Sequence, residues 1–168
     1  MNSNRPIFKM KHQNNTFSKN NRQNYYILLA EDDFDDFYLF NYTLEQMNIS
    51  FTLKTVKNGQ ELMDLLNTEN TDLPDMVFLD INMPIKNGFE CLVEIKNNNK
   101  LAHLPVIICS NSFAPLVLEQ LYNDGAVFYI RKPDEIEQLK KMILKAISFI
   151  SQPIKKLQPS FENFFLAY

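Results

Sequence analysis

The sequence predicts an α/β fold in which helices cover both faces of a parallel sheet. Short apolar runs such as residues 25–30 are typical of strands that are buried on both faces. A segment with helical spacing of its apolar residues follows each run in strict alternation, which favours right-handed βαβ crossovers. The length of 168 residues, with 45% hydrophobic and 22% charged residues, indicates one globular domain with short extensions.

Five strands are expected, and the second, which alternates in polarity, is typical of an edge strand. They cover residues 25–30, 51–56, 75–79, 104–109 and 126–131. The five helices that follow them cover residues 34–47, 60–67, 89–97, 114–123 and 134–151. Five such units fit a flavodoxin-like, doubly wound sheet of order 2-1-3-4-5. A closed barrel of eight units would need about 250 residues.

Composition divides the chain into three parts. Residues 1–24 form a basic, Asn-rich arm that we expect to be disordered, residues 25–152 form the domain, and residues 153–168 form an aromatic tail. The arm holds five of the 17 basic residues and no acid, which leaves twelve basic against 20 acidic residues in the rest. Such an acidic body disfavours DNA as a partner. The apolar tail is expected to dock on the chain's own surface or on a partner.

Several classes of protein are excluded by what the chain lacks. Three glycines cannot form the glycine-rich cradles of dinucleotide- or P-loop-binding proteins. Two cysteines and two histidines cannot form a disulfide framework, a four-thiolate zinc site or a His-rich metal cage. No apolar run is long enough to span a membrane, and no apolar secretory signal is present, so we expect a cytoplasmic protein with no membrane partner.

Polar side chains follow four of the predicted strands. Glu31 and Asp32 follow the first, Asp80 the third, Ser110 the fourth and Lys132 the fifth. The carboxyl ends of neighbouring parallel strands meet in one crevice, where ligands of such sheets bind. Crowded carboxylates need a cation, and ligands that are all oxygens favour Mg²⁺ where a phosphate shares the site. The residues therefore predict a Mg²⁺ site that handles a phosphoryl group, with a carboxylate as its possible nucleophile.

Four motifs at these strand ends resemble the receiver domain of two-component response regulators. They are LLAEDD at 28–33, LDINMP at 79–84 with Gly88 beyond it, LPVIICS at 104–110 and GAVFYIRKP at 125–133. The resemblance covers residue 25 to about residue 150. It implies that Asp80 accepts a phosphoryl group, and that Glu31, Asp32, Asp80 and the backbone carbonyl of Asn82 bind Mg²⁺.

The resemblance also implies roles for residues of the last two strands. The hydroxyl of Ser110 would move toward the phosphoryl group and Lys132 would pair with it, preceding a cis bond to Pro133. Tyr129 would swing inward when Ser110 moves. Three acids in the first turn of the first helix, Asp33, Asp35 and Asp36, are interpreted as groups that cap the helix and favour its dipole.

The implied function is that of a single-domain response regulator, a signalling switch that catalyses only its own phosphorylation and dephosphorylation. A histidine kinase or histidine phosphotransfer protein would supply the phosphoryl group, and a downstream protein would read helix 4, strand 5 and helix 5. A homodimer through that face is a further expectation. Two alternatives are an interaction module that ignores phosphate and a small Mg²⁺-dependent phosphatase. The phosphatase would want an aspartate where Asn82 stands.

Overall fold

The computed structural model describes residues 24–69, 72–111, 114–152 and 158–166. The strands in these ranges are β1 (Asn24–Ala30), β2 (Ser50–Val56), β3 (Met76–Asp80), β4 (Val106–Ser110), β5 (Phe128–Arg131) and β6 (Phe165–Leu166). The helices are α1 (Phe34–Glu45), α2 (Gly59–Leu66), α3 (Gly88–Asn97), α4 (Pro115–Asn123), α5 (Ile136–Ile150) and α6 (Phe161–Phe164). The strands form one parallel sheet of order β2-β1-β3-β4-β5-β6.

The predicted α/β fold and its strand order are confirmed, with one strand added at the β5 edge. β2 lies at the opposite edge, as its alternating polarity predicts. The predicted strands and helices all form, and their ends shift by a few residues. Among the described residues, no helix has both the length and the apolar character that crossing a membrane requires.

The core has two layers, one on each face of the sheet. Alternate residues of the central strands point to opposite faces: Leu28 and Leu79 pack with α2, α3 and α4, whereas Leu29 and Phe78 pack with α1 and α5. β3 and β4 are buried along their whole length. Burial on both faces explains why these strands are uninterrupted apolar runs.

The tail completes the sheet instead of extending away from it. β6 pairs in parallel with β5, with Tyr129 opposite Phe165 and Ile130 opposite Leu166. The side-chain amide of Gln158 donates hydrogen bonds of 2.7 Å to the carbonyls of Tyr122, in the last turn of α4, and of Ala126, in the α4–β5 connection. The described part of the tail therefore docks on the chain's own surface. The predicted arm lies outside the described residues except for Asn24, the first residue of β1.

Phe164 makes the tail part of the core. Its side chain is 0% exposed and belongs to the cluster that contains Leu118, Leu121 and Tyr129. We expect Phe164→Ala to lower the free energy of unfolding by about 3–5 kcal/mol, the usual cost of emptying a buried phenylalanine site. Urea denaturation followed by circular dichroism measures this loss.

Phe161 provides the matched control for that measurement. It lies in the same helix, contacts Tyr122 at a ring distance of 5.2 Å and is 46% exposed. Phe161→Ala is expected to cost much less than Phe164→Ala because less apolar surface returns to water. Equal, small losses in both variants would show that the tail does not contribute to the core in solution.

Candidate functional site

The carboxyl ends of four neighbouring strands bring the predicted site residues together. Glu31 follows β1, Asp80 ends β3, Ser110 ends β4 and Lys132 follows β5. Two backbone hydrogen bonds hold these ends in place: Glu31 N–H donates to the carbonyl of Val56 at 3.0 Å, and Lys132 N–H donates to the carbonyl of Ser110 at 3.1 Å. The site is thus built on strand ends that neighbouring backbone groups hold by hydrogen bonds.

Three of the predicted metal ligands form a compact oxygen cluster. Carboxylate oxygens of Glu31, Asp32 and Asp80 all lie within 4.8 Å of one another. Glu31 is 6% and Asp80 4% exposed, whereas Asp32 is open to solvent. A cluster of oxygen donors with one exposed member fits a hard divalent cation that keeps some of its water. These residues therefore suit the metal that the strand-end pattern predicts.

Asn82 holds the Asp80 carboxylate through its backbone. Its N–H donates a 2.9 Å hydrogen bond to Asp80 Oδ2, and its side chain is exposed. This contact orients one oxygen of Asp80. The predicted role of the Asn82 carbonyl as a metal ligand stays a prediction.

The ammonium group of Lys132 lies among three carboxylates. It donates to Glu31 Oε2 and to Asp36 Oδ2 at 2.7 Å each, and lies 3.2 Å from Asp80 Oδ1. The Lys132 side chain is only 13% exposed. Its charge therefore offsets part of the negative charge that the fold concentrates at this edge of the sheet.

Burial and charge shift two pKa values in this cluster. Burial raises the pKa of Glu31 to about 7, and the charge of Asp80 adds to this rise while Lys132 opposes it. Burial alone would lower the pKa of Lys132, but its bonds to Asp36 and Glu31 and the charge of Asp80 raise it above its ordinary value. Lys132 is therefore protonated at neutral pH, and its single positive charge is shared among the three carboxylates that face it.

Ser110 and Tyr129 lie on neighbouring strands and are both buried, at 0% exposure. The ring of Tyr129 lies 5.7 Å from that of Phe165 in the docked tail. The inward swing of Tyr129 and the movement of Ser110 stay predictions. The structure adds that Tyr129 contacts Phe165 of the tail, so a movement of the Tyr129 ring would change its packing against β6.

The prediction of a cis peptide bond between Lys132 and Pro133 is wrong. No peptide bond among the described residues is cis. The trans form is the more stable one for a bond that precedes proline, by about 0.5–1 kcal/mol. In this trans arrangement Lys132 still reaches Glu31 and Asp80.

Asp36 is the site residue that sequence reasoning missed. The sequence pattern predicts capping for all three first-turn acids, and Asp33 confirms it: its Oδ1 accepts hydrogen bonds from the backbone N–H groups of Asp35 and Asp36. Asp36 instead pairs with Lys132, 96 residues away in the chain. The available signal was its position in the first turn of α1, only a few residues after the end of β1.

The comparisons with known proteins agree with this geometry. Residues 27–144 match the family model of the response regulator receiver domain. The chain is 32% identical over 127 residues to the response regulator Rcp1 of Synechocystis, a match that covers 73% of this chain and 86% of Rcp1. It is 30% identical over 118 residues to the two-component response regulator ORR12 of Oryza sativa subsp. japonica, covering 70% of this chain and 94% of the relative.

Solved structures show the same fold. The phosphorylated cyanobacterial phytochrome response regulator RcpA superimposes with a TM-score of 0.70 at 29% identity, covering 79% of this chain and 98% of RcpA. The Mn²⁺-bound form of Rcp1 gives a TM-score of 0.68 at 29% identity, covering 81% of this chain and 99% of Rcp1. With the motifs, the sheet order and the acidic cluster in agreement, the chain belongs to the response regulator receiver domains of two-component systems.

Proposed function

We propose that the chain is a phosphorylation-dependent switch in which Asp80 accepts a phosphoryl group in a Mg²⁺-dependent reaction. The observation that carries this proposal is the setting of the Asp80 carboxylate. It is buried, its Oδ2 is held by the backbone N–H of Asn82, and its Oδ1 faces the ammonium of Lys132. A nucleophile held in this way is oriented for attack on phosphorus.

The proposed step is a transfer from a histidine kinase or a histidine phosphotransfer protein. An oxygen of Asp80 attacks phosphorus, an O–P bond forms and the P–N bond of the phosphohistidine breaks. The imidazole leaves with the bonding electron pair and takes up a proton. Lys132 and the hydroxyl of Ser110 would stabilise the phosphoryl oxygens, and later attack by water on the acyl phosphate would return Asp80 to its carboxylate.

Glu31, Asp32, Asp80 and the backbone carbonyl of Asn82 would hold Mg²⁺. The cation would neutralise the charge that develops on the transferred phosphoryl group. The compact oxygen cluster supports this assignment, as does the Mn²⁺-bound form of the relative Rcp1. The exposed position of Asp32 supports entry of the cation from solvent.

The output would be a protein surface that includes α4, β5 and α5, read by a downstream protein or by a second copy of the chain. Because β6 covers the edge of β5, the docked tail forms part of that surface. Leu116 of α4 and Phe161 of α6 are large apolar side chains exposed there. We place the switch in the cytoplasm and propose no DNA or membrane partner, in keeping with the acidic body of the chain.

Phosphorylation by a small donor tests the proposal directly. The full chain is incubated with acetyl phosphate and Mg²⁺, and its intact mass is measured with and without EDTA. We expect one added phosphoryl group in the presence of Mg²⁺ and none with EDTA. Peptide mapping after borohydride reduction of the acyl phosphate is expected to place the label on Asp80.

Three results would contradict the proposed phosphorylation of Asp80. A protein that folds and binds Mg²⁺ but takes no phosphoryl group would favour an interaction module that ignores phosphate. Label on any residue other than Asp80 would contradict the assignment of the acceptor. A phosphoryl adduct that forms while EDTA is present would contradict the role of the cation.

A further inference from the structure

The ammonium group of Lys132 pairs with Asp36, a carboxylate that has no role in the proposed phosphoryl transfer. It has three N–H donors and faces three carboxylates. The two 2.7 Å contacts go to Glu31 and Asp36, while the acceptor Asp80 lies at 3.2 Å. The shorter contacts therefore hold the lysine within 3.2 Å of the carboxylate on which it would act.

Of these two holding residues, only Asp36 is outside the oxygen cluster. Glu31 belongs to the group of carboxylates that could bind the cation, together with Asp32 and Asp80. Any metal ion bound there would compete with Lys132 for the charge of Glu31. The contact with Asp36 would persist, because its carboxylate is not a member of that group.

The local fold fixes Asp36 for this purpose. Its backbone N–H and that of Asp35 are both bound by Asp33 Oδ1, which caps the first turn of α1. The Asp36 side chain is 29% exposed and that of Lys132 13%, so their ion pair is partly shielded from water. Lys132 has a flexible four-carbon stem, and an anchored anionic partner limits the positions that its ammonium can take.

We propose that Asp36 is a positioning residue that keeps the Lys132 ammonium above Asp80 during phosphoryl transfer. The inference rests on the proposed function, since the step that it assists is the transfer to Asp80. It adds a fourth carboxylate to the working site, one that contacts neither the phosphoryl group nor the cation.

Asp35 offers a matched control. It is the next acid in the same helical turn, it is exposed, and it is not among the three carboxylates that contact Lys132. With acetyl phosphate and saturating Mg²⁺, we expect Asp36→Ala to slow phosphoryl incorporation about tenfold, the effect of losing one well-aligned charged contact. Asp35→Ala is expected to stay within about twofold of wild type, since it removes the same charge but no contact with Lys132.

Two further readouts separate positioning from a general loss of structure. The Kd for Mg²⁺, measured by calorimetry, is expected to be the same in Asp36→Ala and Asp35→Ala, because neither residue is in the oxygen cluster. Asp36→Glu keeps the carboxylate and is expected to recover most of the rate. Equal rates in the two alanine variants, or no recovery in Asp36→Glu, would overturn the proposal.

The ion pair is also tested without any phosphodonor. A double-mutant cycle of Asp36→Ala and Lys132→Met in urea denaturation is expected to show a coupling, because the two residues share one contact. Additive effects would overturn the proposal whatever the kinetics show. If wild type takes no phosphoryl group while the coupling is present, the failure lies in the proposed function, and the role of Asp36 in transfer fails with it.

Discussion

Replacing Asp80 with asparagine is expected to abolish phosphoryl incorporation completely. The amide has nearly the same shape but no carboxylate oxygen that can attack phosphorus. The variant also removes one of three clustered carboxylates, so the Kd for Mg²⁺ is expected to rise about 10- to 100-fold or more. Intact mass after treatment with acetyl phosphate measures the first effect, and isothermal calorimetry with MgCl₂ the second.

Asp64→Asn is the matched control for this loss. Asp64 is an exposed aspartate of α2 that accepts a hydrogen bond from the Gln60 side chain, a contact that asparagine can preserve. The control is expected to take up one phosphoryl group at the wild-type rate. Residual labelling of Asp80→Asn at a rate close to that of the control would identify another acceptor and remove Asp80 from the mechanism.

The second large effect is expected at Gly88, the first residue of α3. A Cβ atom there would lie 2.2 Å from the carbonyl oxygen of Asp80 and 2.8 Å from the Cα of Ile81. Both are backbone atoms, so a side chain would push the end of β3 away from α3. We expect Gly88→Ala to lower the free energy of unfolding by about 1–3 kcal/mol or more, and to weaken Mg²⁺ binding by moving Asp80.

Gly59→Ala separates these two consequences. Gly59 is the first residue of α2, and a Cβ atom there would lie 2.3 Å from the carbonyl oxygen of Lys86. The clash is similar, but it does not involve the backbone of Asp80. We expect a comparable loss of stability by urea denaturation and a smaller change in the Kd for Mg²⁺. A Gly88→Ala variant that is more stable than wild type would contradict the crowding at α3.

The sheet could be predicted because its interior is simple. The central strands are buried on both faces and helices connect β1 to β5, so apolar runs and helical spacing predict a doubly wound parallel sheet, which the order 2-1-3-4-5 fits. The strand in the tail could not be predicted from such a pattern. β6 has only two residues, Phe165 and Leu166, and such a strand has no periodicity to detect. Its place depends on the apolar surface that α4 and β5 leave open.

The site was predictable where the chemistry follows the strand ends. Glu31 follows the buried end of β1, Asp80 ends the buried strand β3 and Lys132 follows β5, and the topology brings them together. Asp36 lies within a helix whose first turn also benefits from acids, so its sequence position is equally consistent with a capping role. Only the side-chain geometry distinguishes the residue that pairs with Lys132 from Asp35 beside it.

The docked tail also affects the order in which the protein can be assembled during synthesis. Domains fold from the N-terminus as the chain leaves the ribosome, and β6 emerges after the other five described strands. Until Phe164 arrives, the nascent chain has an unpaired β5 edge and an unfilled apolar site beside α4. Unpaired edges readily add strands from other chains. Aggregation of nascent chains before residue 166 emerges is therefore the hazard that this arrangement creates, and prompt docking of the tail removes it.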